Sequence, residues 1–74
     1  MAHESANYQE AYEMLLKASR LICDAGMMTY LDEECDVMTT ALLKDMDFYT
    51  DFLRNMIEEQ KQNNIVNSIL MGSN

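Results

Sequence analysis

One histidine, two cysteines and thirteen carboxylates are the residues of this chain that could do chemistry. His3 is the only histidine and is expected in a loose terminus, so no Ser-His-Asp set can be assembled around it. Cys23 and Cys35 stand far apart, with no Cys-x-x-Cys pair and no second histidine, so the ligand spacing of a zinc site is missing. They are expected to be reduced, small buried hydrophobes. Asp45, Asp47 and Asp51 fall at positions one, three and seven of an EF-hand-like pattern. Thr50 then occupies the glycine position and Met56 the closing glutamate position, so that match fails. There is no glycine-rich phosphate loop. Paired carboxylates catalyse only in a cleft that separates their environments, and a chain this small offers little of one. The expectation is a protein that is not an enzyme and uses no metal and no cofactor.

The carboxylates matter more as a group. Thirteen acids oppose five bases in 74 residues, a formal charge of -8. The imbalance is concentrated. Residues 24–51 carry Asp24, Asp32, Glu33, Glu34, Asp36, Asp45, Asp47 and Asp51 against Lys44 alone, or -7 in 28 residues. The other 46 residues total -1. Some of these acids have local reasons to be there. Near a helix start each gains about 0.3–1 kcal/mol from the helix dipole. Asp36 and Asp51 have less excuse. Each follows another aspartate by four residues, a like-charge spacing that costs roughly 0.2–0.5 kcal/mol on a helix. Local rules broken without local gain point toward function.

Such an acid belt excludes direct nucleic-acid binding, which needs lysine and arginine to neutralise phosphates. It suits the opposite role. Eight acids over 28 helical residues recur about every 5 Å along the axis, comparable with the roughly 3.4 Å phosphate repeat of one DNA strand. In size, helical content, acidity and the belt over residues 24–51, the chain resembles the small acidic DNA-mimic inhibitors that phages encode against host proteins. The resemblance implies a partner that is a basic nucleic-acid-binding protein, such as a histone-like nucleoid protein, a nuclease or a polymerase subunit. The candidate partner-binding residues are the eight belt acids together with Tyr30, which lies beside them. The competing reading is a helical assembly adaptor that binds through apolar stripes, its acids serving solubility.

These residues must be positioned by helices. The chain has no proline, and leucine, methionine, alanine, glutamate, glutamine and lysine are frequent. The fold class expected is all-α, a small helical hairpin or three-helix bundle. Asn7 followed by Glu10 reads as a capping box, with Ser5 as a competing cap. Tyr8, Ala11, Tyr12, Leu15, Ala18 and Ile22 then make one apolar face. Gly26 offers a left-handed stop. The first helix is thus predicted over about 6–25. Thr29, followed by acids, marks a second start. Leu31, Cys35, Met38 and Leu42 form the next stripe, and Met46, Tyr49, Phe52, Leu53, Met56 and Ile57 the one after. Extending the earlier stripe by heptad arithmetic puts Asp45 in the core, so a break near 44 is expected, with helices over about 30–43 and 45–62. Met14, Met38, Met46 and Met56 are read as core, and Met27 and Met28 as partly exposed beside the turn.

A short apolar segment over 65–71 must dock on something, since seven residues hold no helix alone. A single domain of this size supplies about 3–5 kcal/mol from its core, so association is favoured. A homodimer is expected, with Ile65, Val66, Ile69 and Leu70 in its contact. No secretory signal or membrane span is visible in the sequence. The expected location is the cytoplasm, of the host cell if the protein is viral, with no membrane partner.

Overall fold

Asn7 starts the first helix as its spacing predicts. Its side-chain oxygen accepts the Glu10 N–H at 3.0 Å, and its Nδ2 donates to the Glu10 carboxylate at 3.0 Å. The computed structural model describes the backbone of residues 2–72 and the side chains of residues 2–65. Within it α1 spans Tyr8–Met28 and α2 spans Glu33–Gly72, an all-helical hairpin with no strand among the described residues. Removing this cap by Asn7→Ala is expected to cost about 0.5–2 kcal/mol, read as a lower thermal midpoint in far-ultraviolet circular dichroism.

Gly26 does not stop α1. No described residue has a positive φ, and the helix continues to Met28. What the glycine provides is closeness. A Cβ placed on it would lie 2.5 Å from Thr39 Cγ2, inside contact distance. The two helices approach here because one of them lacks a side chain. Thr29, expected to open the second helix, closes the first: its N–H donates to Gly26 O and its hydroxyl to Ala25 O, both at 3.2 Å. Asp32 opens α2 instead, its carboxylate accepting the Cys35 N–H at 3.1 Å. Residues 29–32 form the whole link.

The break expected near residue 44 is absent: α2 is one helix of 40 residues. The physical reason is which stripe faces α1. The inward positions are Thr39, Leu43, Met46, Thr50, Leu53, Ile57 and Gln60, at steps of four and three throughout. Asp45 lies off this seam and is exposed. The Thr50 hydroxyl, buried in the seam, donates to Asp47 O at 2.9 Å, so no buried polar group is left unpaired there. The α1 face is the expected one: Tyr8, Ala11, Tyr12, Leu15, Ala18 and Ile22 are all half-buried. Two pairs set the antiparallel register, Gly26 against Thr39 and Ser19 Oγ against Met46 Sδ at 3.9 Å.

At the open end the N-terminal segment is tied down rather than loose. Gln60 Nε2 donates to His3 O at 2.9 Å and to Ala6 O at 3.0 Å, and the His3 N–H donates to the Tyr8 hydroxyl at 2.8 Å. The Ala2 N–H reaches the Glu59 carboxylate at 3.3 Å. The molecule is a rod of 64 × 17 × 14 Å with a radius of gyration of 17.7 Å. A compact chain of this length would have about 11 Å. Only Leu53 (3% exposed) and Ile57 (9%) are buried hydrophobic residues among those described.

Candidate functional site

The link brings most of the predicted acids to one end. Asp24 lies in the last turns of α1. Asp32 caps α2, and Glu33, Glu34 and Asp36 occupy its first turn. All five are exposed. Residues 21–43, which span this end, contain no lysine or arginine. The ion pairs among the described residues lie elsewhere: Arg54 with Asp51 at 3.2 Å and Lys61 with Glu58 at 3.9 Å, both solvent-exposed. Pairs of that kind contribute about 0–1 kcal/mol and neutralise little beyond themselves. The turn end is therefore an uncompensated negative pole.

The same end is rich in exposed apolar side chains. Tyr30 and Leu31 project from the link, Leu31 with 86% of its surface open. Met27 and Met28 are exposed beside them, as their place near the turn predicts. Cys23, Met27 and Tyr30 border a shallow cleft whose other wall is Asp36, Thr39 and Thr40, with Gly26 at its base. The cleft thus combines adaptable apolar walls with a carboxylate rim, which suits a partner that has both cationic and apolar groups.

The rest of the belt does not share one face. Along α2, Asp36, Asp47 and Asp51 are separated by three turns and one turn, so they line one edge. Asp36 belongs to the cleft wall, which places that edge on the side of Cys23 and Met27. Glu34 and Asp45, three turns apart, line the opposite edge. Asp51 is the belt acid held in an ion pair. The belt is thus a cluster at the turn end with two unequal tails: Asp24, Asp32, Glu33, Glu34 and Asp36 are brought together, and Asp45, Asp47 and Asp51 are not.

A second surface was hidden from the sequence reading. Met38, Leu42, Tyr49 and Phe52 were expected in the core and are exposed, as is Leu31. Met14, also expected in the core, is exposed, whereas Met46 and Met56 are half-buried. Each helix has two edges beside its seam. Cys23 and Met27 take one edge of α1 toward Asp36, so by helix phase Met14 and Leu21 lie toward the other, the side of Met38, Leu42, Tyr49 and Phe52, with Lys17 and Arg20 next to Leu21. The signal that could have found this was available: Gly26 and Thr39 are small residues suited to a close helix contact. Of the expected dimer residues, Ile65 is exposed, and the side chains of Val66, Ile69 and Leu70 lie outside the described residues.

Both cysteines were expected to be buried and neither is: Cys23 is exposed on the edge of α1 and Cys35 half-buried in the first turn of α2, both as free thiols. Among the described residues no group of three or more histidine, cysteine or acidic side chains is placed to hold a metal ion, and no helix is long and apolar enough to cross a membrane. Compared with protein-family models, curated proteins and solved structures, the chain matches none.

Proposed function

We propose that the chain is a non-catalytic binding protein that presents its acidic turn end to a basic, nucleic-acid-binding surface of another protein and competes there with nucleic acid. The observation that carries this reading is the cluster of Asp24, Asp32, Glu33, Glu34 and Asp36, exposed together with no cation in residues 21–43. A negative pole of this kind steers a positive surface into encounter and rejects acidic ones. Tyr30, Met27 and Leu31 then supply the apolar contact that charge alone lacks. Asp45, Asp47 and Asp51 extend the field along the rod. The partner class is a nucleoid protein, nuclease or polymerase subunit, within the cytoplasm, and the chain itself acts as a homodimer.

The test uses the chain immobilised against a bacterial lysate, at low and high salt, with and without added duplex DNA. Expected are basic nucleic-acid-binding proteins that elute as salt rises and are displaced by DNA. Because the Asp32 carboxylate caps α2, the charge is reversed at Glu33, Glu34 and Asp36, sparing the cap. Three changes to lysine take the formal charge from -8 to -2. Capture is expected to fall roughly tenfold or more while helical content persists. A partner held equally at high salt, indifferent to DNA and to the reversal, would overturn the proposal. That outcome would favour the second reading, an assembly adaptor working through exposed Leu42, Tyr49 and Phe52.

A further inference from the structure

The hairpin exposes more surface than a finished small domain does. Its accessible area is 6305 Å². A compact monomer of 8.6 kDa exposes about 4700 Å², so the excess is roughly 1600 Å², shared between the end of α2 that runs past α1 and exposed apolar side chains such as Met14, Leu21, Met38, Leu42, Tyr49 and Phe52, each 48–69% open. A standard protein interface removes about 800 Å² from each partner. One such contact fits within the excess.

The apolar flank opposite the acid-lined edge has the right pattern for a helical occupant. On α2, Leu42 and Tyr49 are seven residues apart, as are Met38, Asp45 and Phe52. On α1, Met14 and Leu21 are also seven apart. This is the repeat that helices present to one another in bundles. Asp45 is the one carboxylate on the α2 stripe between Met38 and Phe52, whereas Asp36, Asp47 and Asp51 line the far edge. A cationic partner would be drawn to that edge and to the turn end. The flank is matched instead by a surface as apolar and as heptad-spaced as itself.

We infer that the flank formed by Met14, Leu21, Met38, Leu42, Tyr49 and Phe52 is occupied by a second copy of this chain, two hairpins closing face to face into an isologous four-helix bundle. A two-fold contact sets the same patch against itself, so heptad-spaced apolar side chains face their own kind. It also leaves both acidic turn ends free, so this contact does not depend on what those ends bind. Because each copy carries -8, salt that screens their repulsion tightens the dimer. Salt weakens capture of a basic partner, so the two contacts respond with opposite sign.

The experiment is sedimentation equilibrium of the full chain from micromolar to near-millimolar concentration, at low and high salt. Expected is twice the 8.6 kDa chain mass, its fraction rising with concentration and with salt. Tyr49→Lys with Phe52→Lys is expected to return the single-chain mass with unchanged helical signal, since both side chains are exposed within one hairpin. Phe48→Lys, on the outward face of α2, is expected to leave the doubled mass intact. Should the lysine pair lose helicity, Leu42→Gln with Phe52→Gln replaces it. A single-chain mass for the unmodified protein at every concentration would overturn the inference. So would a doubled mass that survives the flank substitutions. Loss of the acidic-end interaction with the doubled mass retained would leave this contact standing.

Discussion

Replacing Leu53 by alanine is expected to remove most or all of the folding stability of the chain and to leave a sizeable unfolded fraction at room temperature. Leu53 is the most buried large side chain described, at 3% exposure, and among the described residues Ile57 is the only other buried hydrophobic one. The register set by Gly26 with Thr39 and by Ser19 with Met46 places Leu53 level with Tyr12 of α1. Truncating a buried leucine costs about 2–5 kcal/mol, the lost transfer energy plus the cavity left behind. A domain this small holds about 3–5 kcal/mol in total. The two figures overlap, so one substitution removes most or all of the stability. Phe48 is the control. It is larger than Leu53 but 79% exposed, and Phe48→Ala is expected to change stability by about 0.5 kcal/mol or less. Urea unfolding at one protein concentration, followed by far-ultraviolet circular dichroism, compares the three proteins. If Leu53→Ala unfolded with the parent midpoint and Phe48→Ala did not, α1 would be packed on a different face of α2.

That alternative face is the one the sequence favours on hydrophobicity alone. Two stripes run along α2, offset by a single residue. One is Met38, Leu42, Tyr49, Phe52 and Met56, interrupted by Asp45. The other is Thr39, Leu43, Met46, Thr50, Leu53 and Ile57. One residue is about 100° of helix rotation, so the choice decides which side of α2 meets α1. The first stripe has the larger side chains. Reading it forward meets Asp45, and the reading then shifts to the second stripe at Met46, which creates the expected break. The actual seam includes two threonines that hydropathy does not reward. Thr50 is accommodated because its hydroxyl bonds the backbone within its own helix, and Thr39 because glycine stands opposite.

The all-helical class, the Asn7 cap and the half-buried, inward face of α1 were legible because each rests on local rules: propensity, capping chemistry and one clean stripe. The acid cluster was legible in part. Asp32, Glu33 and Glu34 were foreseen at a helix start and Asp36 was not; all four come together with Asp24 because the link is only four residues long. The separation of Asp45 from Asp47 and Asp51 follows from helix phase, which becomes readable only once the seam is known. The role of Gly26 shows the same limit. A glycine near the end of a helix reads as a stop by local rules, whereas its purpose here is set by a residue thirteen positions away across the hairpin.

Gly26 gives the second large effect, and its sign distinguishes those two roles. A glycine inside a helix costs about 0.5–1 kcal/mol relative to alanine, so by propensity alone Gly26→Ala should stabilise α1. Against that, the new Cβ would stand 2.5 Å from Thr39 Cγ2, with Thr39 Cβ and Oγ1 both at 3.4 Å. Threonine is β-branched and restricted in rotation, so it cannot simply swing away. Overpacking of this kind costs about 1–3 kcal/mol. The clash is expected to win for Gly26→Ala by a small margin. For Gly26→Val, which adds two more methyl groups with little propensity gain, a loss near the top of that range is expected. Thr39→Ser removes the obstructing methyl. The double variant Gly26→Ala with Thr39→Ser is therefore expected to be more stable than Gly26→Ala alone, a coupling that independent sites would not show. If Gly26→Ala instead raised the midpoint, and Thr39→Ser added nothing to it, the helices would not meet at this pair. The register that levels Leu53 with Tyr12 would then lose one of its two anchors.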